Sequence, residues 1–265
     1  MSRKLRRCAV IAVIALSTLT AARAQTSYSI PHAVNLNPVV RRAFPIYYRR
    51  LHPGIPQQLY TDGFYPIGWS RDGKFAYYSE PVDEECGCYF AELAIVDLRT
   101  DKVVWQFTNK PQDRVDAKGE TIPDDMRKLW KRNEKLFSEK LREHNIIQTP
   151  RFVLMPATFR SAGKSYTAKV SATKGDDPDG MNRVGKLRLD LTSPTLGKKT
   201  LFSADYKGDE MYVSPLDAAV AGAFMSPFEN RAAVVMIKVQ RGWEGPPHNV
   251  DAQIAGADLV NGFRK

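Results

Sequence analysis

The run Glu84-Glu85-Cys86-Gly87-Cys88 places two thiols and two carboxylates within five positions of the chain. In an oxidising compartment the two cysteines would form a disulfide, and the glycine between them would ease the strain of a small ring. Such a bridge closes almost no loop, so it would add little stability. Three alternatives stay open: a soft metal on the thiolates, a labile redox-active disulfide, and pairing with another chain. We predict a local disulfide between Cys86 and Cys88 and assign no metal site, because no clustered His or second Cys pair completes one.

Aromatic and charged side chains alternate in two stretches that could bind a ligand. Trp243 lies between glycines and a proline in a loop that also carries Arg241 and Glu244, so the loop is fixed and the indole could stack on a ligand. Tyr47 and Arg49 could stack on sugars or pair with anions in the same way. Both stretches also have a structural interpretation. The loop with Trp243 could plug the end of a sheet, and we favour this interpretation. In the Tyr47 stretch the aromatic rings could pack in the protein while the arginines extend into solvent. We predict that these five residues form the binding surface, if the chain has one.

We identify no catalytic residue and no cofactor from the sequence. Its four histidines have no H-x-H or H-E-x-x-H spacing, and neither a G-x-S-x-G motif nor a glycine-rich phosphate loop occurs. Acidic clusters at 84–85 and 176–179 could serve a hydrolase of cell-wall or polysaccharide substrates. Adjacent acids rarely have the separated environments that an acid and a base require, so loop solvation explains them more simply.

Residues 1–24 have the pattern of a secretory signal peptide. The chain begins with basic residues and continues with an apolar stretch from Cys8 to Leu19. Ala22-Arg23-Ala24 then matches the A-x-A pattern of a cleavage site. The apolar stretch is shorter than the ~20 residues that a bilayer requires, and no similar segment follows it. We therefore expect a periplasmic or secreted protein without a transmembrane segment in its mature part. Removing five basic residues with the signal peptide leaves 34 Lys and Arg against 29 Asp and Glu, or +5. We interpret this modest charge first as one that keeps the protein soluble. As a binding feature it would favour an unknown protein or an anionic glycan as the partner, whereas the location outside the cytoplasm argues against nucleic acid.

A hairpin motif organises the remainder of the chain. The run Trp69-Ser70-Arg71-Asp72-Gly73-Lys74 places an Asp-Gly turn between two β-prone stretches. It resembles the W-S-P-D-G-K repeat of TolB-like β-propeller blades, with Arg71 where that family usually has proline. The run I-V-D-L-R-T-D-K-V-V-W at 95–105 is similar to the outer half of such a blade. The order strand, serine, polar turn, strand returns around Ser226, and 240–246 resembles a stretch of an uncharacterised family of predicted secreted bacterial proteins, which implies no known activity.

The alternating pattern predicts a mainly β fold of antiparallel, blade-like meanders. We expect strands at 64–70, 74–81, 89–98, 102–107, 152–158, 165–173, 185–191, 199–204, 218–225 and 232–239. Blades take ~40–50 residues, so residues 25–265, which also include an N-terminal strap and a helical insertion, have room for about three, too few for a closed propeller. We divide the mature chain into an N-terminal strap at 25–62 and a blade-like domain at 63–265.

One amphipathic helix is predicted at 123–144, inside a helical insertion at 110–150. Pro123 and acidic residues follow Thr121, the expected capping residue, and Trp130 and Phe137 lie on its apolar face. We expect this face to pack on the sheet. Peripheral contact of the helix with a membrane is the alternative, because both rings would also suit an interface.

These observations favour an exported, non-enzymatic binding or protein-interaction protein. The alternatives are an exported hydrolase, and metal or redox handling through Cys86 and Cys88.

Overall fold

The computed structural model describes residues 27–48, 59–82, 89–110, 116–119, 122, 124–175, 182–242 and 245–265. The predicted signal peptide lies outside the described residues, as do Cys86 and Cys88 with their predicted disulfide. Within those ranges, the chain is mainly β and its sheets are open and curled, without closing into a barrel or a propeller. The predicted fold class is thus confirmed.

The described strands form three sheets. Sheet I has the order β5-β4-β3-β2-β6, sheet II the order β10-β9-β8-β7, and sheet III the order β1-β13-β12-β11. All the pairs are antiparallel except β1 with β13, which are parallel. The strands are β1 (Leu59–Thr61), β2 (Gly63–Trp69), β3 (Lys74–Glu80), β4 (Ala91–Asp97), β5 (Lys102–Asn109), β6 (Ile147–Gln148), β7 (Thr158–Ser161), β8 (Lys164–Lys174), β9 (Val184–Ser193), β10 (Gly197–Asp205), β11 (Asp217–Met225), β12 (Arg231–Gln240) and β13 (His248–Asp258).

The predicted hairpin at Asp72-Gly73 joins β2 to β3. Gly73 has a φ of 87°, which few residues other than glycine adopt. The backbone N–H of Ser70 donates to Lys74 O at 2.9 Å, and the hydroxyl of Ser70 accepts the N–H of Lys74 at 2.8 Å. In the hairpin of β11 and β12, Ser226 N also donates across the turn, to the carbonyl of Arg231 at 2.9 Å, but its hydroxyl accepts the N–H of Phe228 at 3.2 Å. Both serines therefore close a turn, and the second turn is one residue longer than the first.

Sheet III lies between sheets I and II, although three of its four strands come last in the chain. Its strand β12 is buried on both faces, since Val235 and Ile237 belong to the apolar cluster shared with sheet I, and Val234 and Met236 to the cluster shared with sheet II. This alternation follows from the two-residue period of a strand, and it explains why residues 232–237 are an unbroken apolar run.

The helix α2 (Met126–Glu143) covers the outer face of sheet I. It begins three residues later than predicted, and Asp125 caps it by accepting the N–H of Lys128 at 2.9 Å. The expected capping residue, Thr121, lies outside the described residues. Trp130 is 3% exposed and Phe137 fully buried against sheet I, as expected of the apolar face. The two rings proposed for a membrane contact are therefore inside the protein. No helix in the described ranges has the length and apolar character to cross a membrane.

One expected strand is absent, and several elements were not predicted: two short helices in the strap and the strands β1, β6 and β13. The N-terminal strap contains α1 (Asn37–Ala43) and a 3₁₀ helix (Pro45–Tyr48), because Val40 and Phe44 lie one turn apart and pack into the core between sheets I and III. The strand expected at 152–158 is absent apart from a single bridge between Met155 and Ala223, and β7 begins only at Thr158. Strand β13 had no counterpart in the prediction.

Candidate functional site

The three sheets meet around a cavity of about 740 Å³, which we call the basic pocket. Sheet I contributes the turn after β4, sheet II contributes β9 and β10, and sheet III contributes β12 and β13. The C-terminal residues that follow β13 complete the lining. Seven of the fifteen lining residues are cations: Arg99, Arg188, Lys198, Lys199, Arg231, Arg264 and Lys265.

A glycine allows sheet I to contact sheet III at the floor of the basic pocket. A Cβ atom on Gly256 would lie 2.0 Å from the carbonyl oxygen of Leu98, so no other residue fits without movement of the backbone. Gly256 N donates to the carboxylate of Asp101 at 2.6 Å, and Arg231 Nη1 donates to Leu98 O at 3.0 Å. Burial raises the pKa of Asp101, although the hydrogen bond from Gly256 and the nearby charge of Arg231 both lower it in part. The turn is therefore fixed to sheet III by contacts from both of its ends, to Arg231 on β12 and to Gly256 on β13.

The C-terminal residues form one wall of the pocket, and Lys199 holds them. Its ammonium group donates to the carbonyl oxygens of Asp258 and of Asn261, the latter at 3.1 Å, and lies 4.6 Å from the ring centre of Phe263. Burial lowers the pKa of Lys199. Arg264 also exchanges two backbone hydrogen bonds with Lys198 on β10, at 2.8 and 2.9 Å. These contacts place the side chains of Arg264 and Lys265 at the pocket.

The pocket has more positive than negative charge. Asp101 and Asp258 line it, and Asp190 and Glu229 pair with its cations from just outside, so seven cations face four carboxylates and leave a formal charge of +3. Arg264 and Lys265 form no ion pair with any described residue.

One buried carboxylate holds two of the cations. The side chain of Asp190 is only 6% exposed, and it accepts hydrogen bonds from Arg188 Nε at 2.8 Å, Lys198 Nζ at 2.8 Å and Thr200 Oγ1 at 2.9 Å. Burial alone would raise the pKa of Asp190, but these three donors lower it. Asp190 and Thr200 are direct partners in the ladder of β9 and β10, so the register of the two strands sets this geometry.

Tyr47 and Arg241, two of the five residues expected to bind a ligand, lie at the other end of sheet III. The ring of Tyr47 contacts His248 edge to face at 5.9 Å, and His248 Nδ1 accepts the N–H of Gly242 at 3.2 Å, beside the exposed Arg241. The structure therefore brings Tyr47 to the base of the loop that contains Arg241. Burial, with the charge of Asp217, raises the pKa of Tyr47 to about 12.

Arg49, Trp243 and Glu244, the other three residues of the expected binding surface, lie outside the described part of the chain. The ten residues of β12 separate this end of sheet III from the basic pocket, a distance of about 30 Å.

A second polar cluster surrounds Glu80 at the end of β3. Its carboxylate accepts hydrogen bonds from the hydroxyls of Tyr65 and Tyr89, the latter at 2.7 Å, and the hydroxyl of Tyr78 lies 2.5 Å from that of Tyr89. Burial raises the pKa of all three tyrosines, so they remain donors rather than bases. No cluster of three His, Cys, Asp or Glu arranged to hold a metal occurs among the described residues.

No known protein family, curated protein or solved structure matches the chain. The similarity to TolB-like blades and to a family of secreted proteins therefore remains a prediction from the sequence motifs. Sequence reasoning missed the basic pocket because its cations come from distant positions. The pairs Lys198-Lys199 and Arg264-Lys265 are its only local sign.

Proposed function

We propose that this chain is an exported, non-enzymatic binding protein that takes an anionic glycan into the basic pocket. The observation that carries the proposal is the excess of cations around a cavity built by all three sheets. Because strands and backbone hydrogen bonds fix the backbone that carries these cations, little backbone freedom is lost when a ligand binds.

The lining also favours a hydrophilic ligand. Leu98 and Leu201 are its only large apolar side chains, and four of the seven cations are arginines. A guanidinium group offers paired donors that match carboxylate, sulfate and phosphate oxygens. Such a surface suits a charged sugar better than an apolar molecule.

The proposal is tested by measuring how a charge reversal in the pocket changes glycan binding. Fluorescently labelled heparin oligosaccharide is titrated into the protein that begins at residue 25, at low and at physiological ionic strength. We expect the double variant Arg264→Glu and Lys265→Glu to bind at least about tenfold more weakly, because both side chains lack an acidic partner among the described residues.

Lys207→Glu supplies the control, since Lys207 is 75% exposed and lies outside the pocket, where it pairs with Asp205. Thermal unfolding checks that each variant folds. Equal affinities of the double variant and the wild type, or no binding of the oligosaccharide by folded protein, would contradict the proposal.

The alternative of metal or redox handling depends on Cys86 and Cys88. Titration of thiols before and after reduction, with metal analysis, tests it. Two free thiols with bound copper would support handling, whereas thiols that react only after reduction, without metal, would support a local disulfide.

A further inference from the structure

The group of Arg188, Asp190, Lys198 and Thr200 differs from the rest of the basic pocket because its cations are held by a buried anion. Among the described residues Arg188 contacts Asp190 through Nε, and both terminal nitrogens of its guanidinium are left for another acceptor. Lys198 uses one of its three donors on Asp190. The side chains of Arg188 and Lys198 are 51% and 52% exposed, so they are accessible although they are fixed.

We infer that this group is a subsite for one tetrahedral oxyanion, a sulfate or phosphate ester, and that Asp190 is its positioning residue. The inference rests on the proposed function and narrows its ligand to glycans that carry such esters.

The arrangement of the donors supports this choice. The two cations stand on neighbouring strands, and both are drawn to the same carboxylate, so they can converge on a single group from two directions. A tetrahedral oxyanion has three terminal oxygens for such donors, whereas a carboxylate has two oxygens in one plane that a single guanidinium can satisfy. A pocket that attracted anions only by its net charge would not require a buried acid beneath its cations.

The substitution Asp190→Asn separates positioning from net charge. It removes a negative charge, so attraction by net charge alone would tighten the binding of any anion. An asparagine can accept from Arg188 but cannot hold the ammonium of Lys198 on its amide nitrogen. We therefore expect Asp190→Asn to bind sulfated dextran about tenfold more weakly than the wild type, in spite of the added positive charge.

Asp205→Asn is the matched control. Asp205 lies on β10 like Lys198, is 44% exposed, and pairs with Lys207 outside the pocket. The control adds the same charge and should leave the affinity within a factor of about two, as expected for an exposed ion pair.

A second variant tests the same inference if Asp190→Asn does not fold. Arg188→Lys keeps the charge at a half-exposed position but loses the planar fork. We expect it to reduce binding of sulfated and phosphorylated dextran about tenfold, because the bound ester loses the guanidinium donors that remain after Nε contacts Asp190. Polygalacturonate, a carboxylate chain, should bind the wild type more weakly than either dextran. The two dextrans together show which ester the subsite prefers.

The outcomes distinguish the two proposals. If sulfated dextran binds, but Asp190→Asn and Arg188→Lys bind it as tightly as the wild type, the subsite is wrong and the binding function stands. A preference for polygalacturonate over both dextrans would also overturn the subsite. If none of the three polyanions binds, the proposed function fails, and the subsite with it.

Discussion

The carboxyl group of Asp62 gives the fold a pH dependence that can be measured. Asp62 follows β1, where its N–H donates to Val250 O at 3.0 Å and its carboxylate accepts the N–H of Val82 at 3.0 Å. Burial raises its pKa from 3.8 to about 7; the hydrogen bond from Val82 opposes this shift, and the charges of Asp251 and Glu92 add to it. The folded protein thus keeps a proton on Asp62 at a pH where the unfolded chain has lost it.

The sign and the size of the effect follow from this difference. Between about pH 4 and pH 7 the folded state binds more protons than the unfolded state, so the free energy of unfolding falls as the pH rises. Each unit of pKa difference corresponds to about 1.4 kcal/mol, so about three units set an upper limit of about 4 kcal/mol. The stabilisation is complete below about pH 4 and is lost above about pH 7.

The substitution Asp62→Asn isolates this contribution. Asparagine can accept the same N–H from Val82, and it cannot ionise. We expect the variant to match the wild type near pH 4 and to exceed it by up to about 4 kcal/mol near pH 8. Urea unfolding followed by tryptophan fluorescence measures both proteins across this range.

Asp205→Asn removes an exposed carboxylate and is again the control, and its free energy of unfolding should stay within about 1 kcal/mol of the wild type at both pH 4 and pH 8. If the difference between Asp62→Asn and the wild type is the same at pH 4 and pH 8, the reasoning about Asp62 is refuted.

Three further substitutions test the contacts that hold the fold together, each by urea or thermal unfolding. Gly256→Ala should destabilise the protein by about 2 kcal/mol or more, because its Cβ would press on the carbonyl of Leu98; an unchanged midpoint would contradict the close approach. Phe224 is fully buried in the core between sheets I and III, so Phe224→Ala should lower the free energy of unfolding by about 3–5 kcal/mol. A decrease below about 1 kcal/mol would contradict this packing, because it would mean that the surrounding residues fill the cavity. Asp125→Ala should cost about 1 kcal/mol by removing the cap of α2, whereas Asp125→Asn should restore most of it.

The features that the sequence predicted correctly are those set by neighbours in the chain. The turn at Asp72-Gly73 needs only a glycine that tolerates positive φ, and α2 needs only its apolar spacing and an acidic start. Strand β13 shows the opposite case. Its run of Asp, Gln and Gly has weak strand propensity, and it becomes a strand because β12 pairs along ten of its residues and β1 pairs on its other side. The short helix α1 likewise depends on burial of Val40 and Phe44, since an isolated helix of seven residues is not stable in water.

The sequence by itself therefore determined that this chain is mainly β, where its hairpins turn, and which face of its long helix is apolar. These properties depend on the preferences of successive residues and on periods of two and 3.6 residues, which are written locally. Only the tertiary structure decided that the sheet formed by the last three strands together with β1 lies in the middle, and that Arg99, Arg188, Arg231 and Arg264 surround one cavity. The stacking of sheets depends on how distant apolar faces fit together, and a pocket built by three sheets has no signature in any single stretch of the chain.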